Sequence, residues 1–458
     1  MIYLKSLILG SSILFFSGCT AAVTGHSKAL DDFNIELLSG KCDYQKIDEK
    51  IDDDPILWGE QGGSLVRNCM NYAKSNELFE KVEAVYKEDI DKDSILSNAQ
   101  ESVTSVLVNN NLNDYEGNTY EKVMVNTYKA LNYISLNDHE NARIEFNRAL
   151  DRQRRAKDYF EKDIKNKKEE LQKKELEEQS KIKKKDNKEN ISFSEVAMNK
   201  QTQEIIYSKY NSALNDFQAY PDFINPFTTY MSGVYFLLNG DRKKANDLLK
   251  ESLRMDPKNI QIKNDFNLSK KRKKENYVWV IYENGMGMTK NEMRFDIPLF
   301  LFSSKVMYTG IVLPEIKENK PAYPYLVVND NKTIEICNMD NVIKTEFKKK
   351  FPMLVTEAVI NTVTKTYAQY ELNRQVGPLA GLAGALYQGL TNKADVRTWS
   401  ALPKNFQSIR VKVDGKPLVI KNHNNEVIST LNLPSNKSAL IYVRSQVEGD
   451  NKIHEIIF

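Results

Sequence analysis

ADVRTWSALP, Ala394 to Pro403, holds the densest run of chemically capable side chains in this 458-residue chain. Asp395, Arg397 and Trp399 alternate, and on an extended backbone alternate residues share one face. A carboxylate, a guanidinium and an indole on one face suit an ion pair sealed by an aromatic, joining a helical insert to a sheet. The same trio also suits a small polar ligand site. DIDKDS, Asp89 to Ser94, spaces three aspartates as the first ligands of a calcium loop. The pattern then fails, with Ser94 where the sharp turn needs glycine and Gln100 where the bidentate glutamate belongs, so it reads as a solvated acidic loop. No Gly-x-Ser-x-Gly elbow, phosphate loop or His-Glu-x-x-His helix occurs. The four histidines (His26, His139, His423, His454) are scattered and there is no Cys-x-x-Cys. No metal and no cofactor is therefore expected, and the chain is read as a non-enzyme.

Cys19 is a different kind of reactive residue. Lys5 precedes an apolar run, Leu7 to Phe16, that is far short of the roughly 20 residues needed to span a bilayer and suits the core of a signal peptide. Phe16-Ser17-Gly18-Cys19 resembles the bacterial lipobox. That resemblance implies removal of residues 1–18, acylation of Cys19, and a chain anchored to the membrane by lipid, stably so once two or more acyl chains are present. Thr20, rather than aspartate, points the resemblance toward the outer membrane, facing the periplasm. Cys42, Cys69 and Cys337 remain, an odd number that leaves at least one free thiol. Cys42 and Cys69 could pair across an N-terminal loop; the sequence leaves this open.

These residues need elements to hold them. The length suits two to three domains, with 41% hydrophobic residues for cores and 28% charged. Net charge is +3, with Lys and Glu interleaved and no concentrated basic face, so no nucleic-acid partner is expected. Residues 19–50 read as a tether. DDDP (Asp52 to Pro55) reads as a helix start, with acids at the positive end of the dipole and proline in the first turn. The apolar spacing predicts helices over 51–271. Within them Ala130, Tyr133, Ala142, Phe146 and Ala149, then Gly233, Phe236, Ala245, Leu249, Ser252 and Pro257, fall in the register of tetratricopeptide repeats. The lysine- and glutamate-rich stretch at about 157–200 has apolar positions too sparse for a heptad seam and reads as a solvated helical hairpin or mobile excursion. From 276 to 458 short β-rich runs predict an α+β domain. Its helical insert covers about 351–390, and Asp414-Gly415 is a hairpin turn. Gly377 to Leu390 is small and apolar, suited to a buried helix, a membrane contact or an oligomer contact.

Tyr115, Gly117, Tyr120 and Glu121 in Y-x-G-x-x-Y-E, YPDFINPF (Tyr220 to Phe227) and ADVRTW-x-x-LP together resemble a family of bacterial lipoproteins with tetratricopeptide-like N-terminal halves. The resemblance implies the α+β fold just described and carries no activity; it associates the chain with assistance to cell-wall synthesis. Two functions are expected to compete. In the first, a lipid-anchored envelope scaffold binds protein partners in a groove of its repeats, with Tyr230, Gly233 and Phe236 on that groove and Asp395, Arg397 and Trp399 at a second contact. In the rival, an envelope enzyme acts on peptidoglycan or another envelope polymer at Asp395 and Arg397.

Overall fold

Asp54 starts the first long helix as its sequence suggests: its carboxylate accepts the Leu57 amide at 3.0 Å, and Pro55 occupies the first turn. The computed structural model describes residues 27–42, 44–95, 115–185, 192–221, 224–271, 275–300, 302–303, 307–376 and 393–458. Cys19, Gln100 and Gly377–Leu390 lie outside the described residues. A helical region precedes strands, an α+β fold. Its N-terminal helices are α1 (residues 27–38), α2 (Gln45–Lys50), α3 (Pro55–Asn68), α4 (Tyr72–Ile95), α5 (Thr119–Ser135) and α6 (His139–Lys185). After these come α7 (Phe193–Met198), α8 (Lys200–Tyr207), α9 (Asn211–Leu214), α10 (Pro226–Leu238), α11 (Arg242–Met255) and α12 (Ile260–Ser269).

Three helix pairs, α3–α4, α5–α6 and α10–α11, turn through left-handed residues at Met70, Asn137 and Gly240. The last two are the pairs whose register the sequence shows. Ala130, Ala142, Phe146, Ala149, Phe236, Ala245, Leu249 and Ser252 are buried, whereas Tyr133 is only partly so. Gly233 is required by close approach, since a Cβ there would stand 2.9 Å from Leu249 Cγ. The α3–α4 pair follows the same logic, with Gly63 leaving room for the Phe79 ring. DIDKDS is not a loop: its backbone continues α4. Cys42 and Cys69 are joined in a disulfide that ties the chain before α2 to the end of α3, and Cys337 is free and buried.

The charged stretch is no excursion of its own. Its residues 157–185 belong to one 47-residue helix, α6, lying beside α13 (Met339–Val376), which starts before the expected insert at 351. Phe160 lies under Lys350, Lys167 pairs with Glu357 at 3.5 Å, and Lys174 acts on Lys365. These contacts keep an offset of about 190 residues along both helices, so the two run parallel. The sequence hid the seam because its partner is remote and much of the seam is Lys and Glu. Helices α7–α9 and a long hairpin, β2 (Thr289–Pro298) and β3 (Tyr308–Lys317), complete this arm around a core containing Tyr210, Phe295, Ile311, Phe347, Phe351 and Val359.

The body centres on a five-stranded sheet, which takes β1 (Tyr277–Asn284) and β6 (Ile334–Asn338) from before α13, and β7 (Asn405–Lys412), β10 (Ala439–Ser445) and β11 (Asn451–Ile457) from after it. Its order is β11-β10-β1-β7-β6, with β1 and β10 parallel. β1 reads as a nearly continuous apolar run because both of its faces are covered. Trp279 and Ile281 face the helices, while Val278, Val280 and Tyr282 face a second sheet. That sheet runs β5 (Asn331–Lys332), β4 (Val327–Val328), β8 (Leu418–Lys421), β9 (Val427–Leu431). Asp414-Gly415 does not close a hairpin: β7 pairs with β1 and β6, β8 pairs with β4 and β9, and the turn carries the chain from one sheet to the other. No helix among the described residues is long and apolar enough to cross a membrane.

Candidate functional site

Residues 393–399 form neither helix nor strand and lie against helices α3, α4 and α5. Trp399 is fully buried, its indole N–H donating to Ser64 Oγ at 2.9 Å. The rings of Phe79 and Tyr128 each lie 5.7 Å from it, the second edge-on. Arg397, also buried, reaches Asp395 through Nε at 3.0 Å and Asp54 through a terminal nitrogen at 3.2 Å. The Asp54 carboxylate thus both caps α3 and pairs across to the segment. Side chains of the helices and of β2 hold this stretch's backbone as well. The amide of Gln61 donates to Thr398 O (2.9 Å) and accepts from Ala401 N (3.1 Å), Glu121 accepts from Trp399 N (3.2 Å), and Lys290 donates to Arg397 O (2.9 Å).

Glu121 is the hub of this contact. It accepts from the hydroxyls of Tyr115 and Tyr120 and from the amides of Asn118 and Trp399, and Tyr120 also meets Thr398 Oγ1 at 3.3 Å. On the next element Glu346 of α13 accepts the amides of Thr119 and Tyr120 at the start of α5. Glu60 is different. It is fully buried, takes one bond from Tyr86 OH at 2.7 Å, and its Oε2 meets no hydrogen-bond donor among the described residues. Burial, reinforced by the nearby Glu121, pushes its carboxyl well above the usual range. Burial also pushes Asp395 up, but Arg397 overrides it and holds that carboxyl below the ordinary value. Desolvation lowers the Lys290 ammonium.

A second buried cluster joins helices to sheet. Glu283 of β1 meets Arg67 of α3 at 3.2 Å and Arg444 of β10 at 2.7 Å, accepts from Tyr442 OH, and is fully buried. Arg67 is stacked between the rings of Tyr128 and Tyr442, 4.7 and 4.6 Å from their centroids.

Asp395, Arg397 and Trp399 therefore do share a locality, but they seal the N-terminal helices to the segment before β7 rather than the helical insert to the sheet. Tyr230, Gly233 and Phe236 do not line an open groove. Tyr230 OH donates to Asp265 at 2.7 Å and lies 2.9 Å from Ser408 Oγ of β7. Phe227 stacks on Phe406 with centroids 3.5 Å apart, and Phe236 is fully buried. Tyr230 thus packs against the chain's own sheet, Gly233 is closed against Leu249 of α11, and Phe236 lies beneath Arg143 and Lys244. Asp54, Gln61, Ser64 and Glu283 went unmarked in the sequence as site residues. Y-x-G-x-x-Y-E was the signal available for Glu121, because its tyrosines are the donors that surround that carboxylate. Among the described residues no three His, Cys, Asp or Glu side chains are grouped to hold a metal ion. The chain matches no protein-family model, no curated protein and no solved structure.

Proposed function

We propose that the protein is a lipid-anchored scaffold of the bacterial cell envelope, held by Cys19 at the periplasmic face of the outer membrane and engaging protein partners through outer surfaces rather than a repeat groove. The observation that carries this reading is the use made of Asp395, Arg397 and Trp399. Of the residues that would have served an envelope enzyme, Arg397 and Trp399 are buried against Asp54, Ser64 and Glu121, and the partly exposed Asp395 is engaged by Arg397. The Cys42–Cys69 disulfide supports export, since such bonds persist in oxidising compartments. The projecting arm supports a partner-binding role. Leu176 on α6 and Met198 on α7 are large apolar side chains left 67% and 72% exposed.

Photo-crosslinking in intact envelopes tests the reading, with probes at Leu176 and Met198 and, as the body control, Ile260. Defined protein partners captured from the arm and not from the control are expected. In parallel, a palmitate analogue should label the protein and Cys19→Ser should abolish the label. Turnover of a cell-wall substrate by purified protein, lost in Asp395→Asn while the fold persists, would replace the scaffold with the enzyme.

A further inference from the structure

The two edges of the five-stranded sheet are finished differently. On β6 the outward backbone is closed by side chains: Glu335 O accepts from the Asn259 amide at 2.8 Å, and Asn338 N donates to Tyr220 OH at 3.2 Å. On β11 it is open. Phe458 N donates to Ser438 O at 2.8 Å, which fixes the alternation of the antiparallel pair. Lys452, His454 and Ile456 turn their backbone toward β10, and Ile453, Glu455 and Ile457 turn theirs away. Those three N–H and three C=O groups meet no hydrogen-bond partner among the described residues. The strand is held firm on its helix-facing side, where the Tyr72 ring lies 4.9 Å from that of His454 and the His139 ring 5.3 Å from that of Phe458. A braced strand with a free row of donors and acceptors is a template for one more strand.

Charge selects the occupant. Ile453 and Ile457 are partly buried against the core of the second sheet, while Glu455 between them is exposed and makes no ion pair among the described residues. A strand laid antiparallel beside β11 sets a side chain directly opposite Glu455, where opposite charges stabilise and like charges destabilise. A second copy of β11 does not supply that cation. Its lysine, Lys452, and its histidine, His454, turn their backbones to β10, and outward residues pair only with outward residues. No antiparallel register therefore sets either opposite Glu455, and Lys452 is already paired with Asp450 at 2.9 Å. The fitting partner carries a lysine or arginine opposite Glu455 and β-branched apolar residues two positions to either side, opposite Ile453 and Ile457.

We propose that the free edge of β11 docks an extended segment of another protein as a sixth strand, antiparallel to β11, with a lysine or arginine of that segment opposite Glu455. The site lies on the body, apart from the arm, and does not rest on the scaffold reading: it binds whether or not Leu176 and Met198 capture partners. The probe is a fluorescent peptide, Thr-Val-Thr-Lys-Thr-Val-Thr, beside a second with glutamate in place of lysine. Both are titrated against the full chain carrying Cys19→Ser, which takes no lipid. Saturable binding of the lysine peptide is expected, about fivefold tighter than the glutamate peptide, and Glu455→Lys should reverse that preference. Ile453→Pro removes one outward N–H, at an edge position where a strand tolerates proline, and should weaken the lysine peptide about tenfold or more. Glu455 is exposed, so Glu455→Lys keeps the fold and carries the test if the proline variant unfolds. Hydrogen exchange is an independent readout: the amides of Ile453, Glu455 and Ile457 should exchange fast in the free chain and slowly with peptide bound. The proposal is overturned by no binding at millimolar peptide, by a preference that Glu455→Lys leaves unreversed, or by amides already protected in the free chain. Self-association that Ile453→Pro abolishes would also overturn it, assigning the edge to a second copy.

Discussion

Trp399→Ala removes the side chain that most directly joins the two halves of the molecule. A fully buried tryptophan cut to alanine costs about 3–5 kcal/mol in transfer and cavity terms. Ser64 then loses its donor, which adds about 1 kcal/mol. The edge-on pairing with Tyr128 adds about 0.5–1.5 kcal/mol beyond area. The expected loss is about 5 kcal/mol, a large share of the 5–15 kcal/mol typical of a folded domain. Trp399→Phe keeps a ring against Phe79 and Tyr128 and should lose about 1–2 kcal/mol, mostly the Ser64 bond and a small void. The chain supplies its own reporters, because the other two of its three tryptophans are Trp58 on α3 and Trp279 on β1. In the Trp399→Ala background, Trp58→Phe leaves a probe of the sheet and Trp279→Phe a probe of the helices. Urea unfolding followed by fluorescence should give one midpoint for both probes, displaced by about 5 kcal/mol from the wild type. A cost below about 2 kcal/mol, or two separated midpoints in which the sheet outlasts the helices, would refute the claim that both halves share this core.

Glu283→Gln should cost about 3–5 kcal/mol in the same assay, since Arg67 and Arg444 lose their common buried carboxylate; a change under about 1 kcal/mol would mean that the cluster is dispensable. Cys42→Ser/Cys69→Ser opens a loop with a sequence separation of 27, and chain entropy predicts a loss of about 3.5 kcal/mol, which a reductant should reproduce on the wild type but not on the variant. Glu60 provides the pH dependence. Its folded carboxyl is raised by burial, so the stability it contributes is complete below the unfolded value of about 4.3 and is lost as pH rises toward the folded value. Glu60→Gln should therefore flatten the fall in stability between about pH 5 and pH 7, and at neutral pH it should be no less stable than the wild type; a loss of more than about 1 kcal/mol there would contradict a carboxyl that is buried neutral.

What the sequence made legible is local. Ala130, Phe146, Gly233 and Leu249 announce close helix packing because the register that brings two adjacent helices together is written within 34 or so residues. Asp54 and Pro55 announce a helix start for the same reason. Pairings that join distant stretches leave no such trace. The partner of α6 begins far downstream at Met339, and the neighbours of β7 are β1 and β6, both before the long helix. Asp414-Gly415 has the chemistry of a hairpin turn, yet tertiary pairing decides that the strands on either side belong to different sheets. The trio at Asp395, Arg397 and Trp399 was visible, but its target was not. One residue type serves an internal latch as well as an open site, and only the position of Asp54, Ser64 and Glu121 across the gap separates the two.

The parallel pairing of β1 with β10 sets the order in which the chain can become itself. Arg444 and Glu283 are separated by 161 residues, and at roughly 5–20 residues per second a ribosome needs on the order of ten to thirty seconds to supply the second after the first. For most of that interval β1, one of the most apolar strands in the molecule, has neither of the neighbours that flank it, because β7 is supplied only shortly before β10. Vectorial emergence thus exposes the hydrophobic centre early and completes it last. A stop codon anywhere before Ala439 removes the strand that completes the flank of β1.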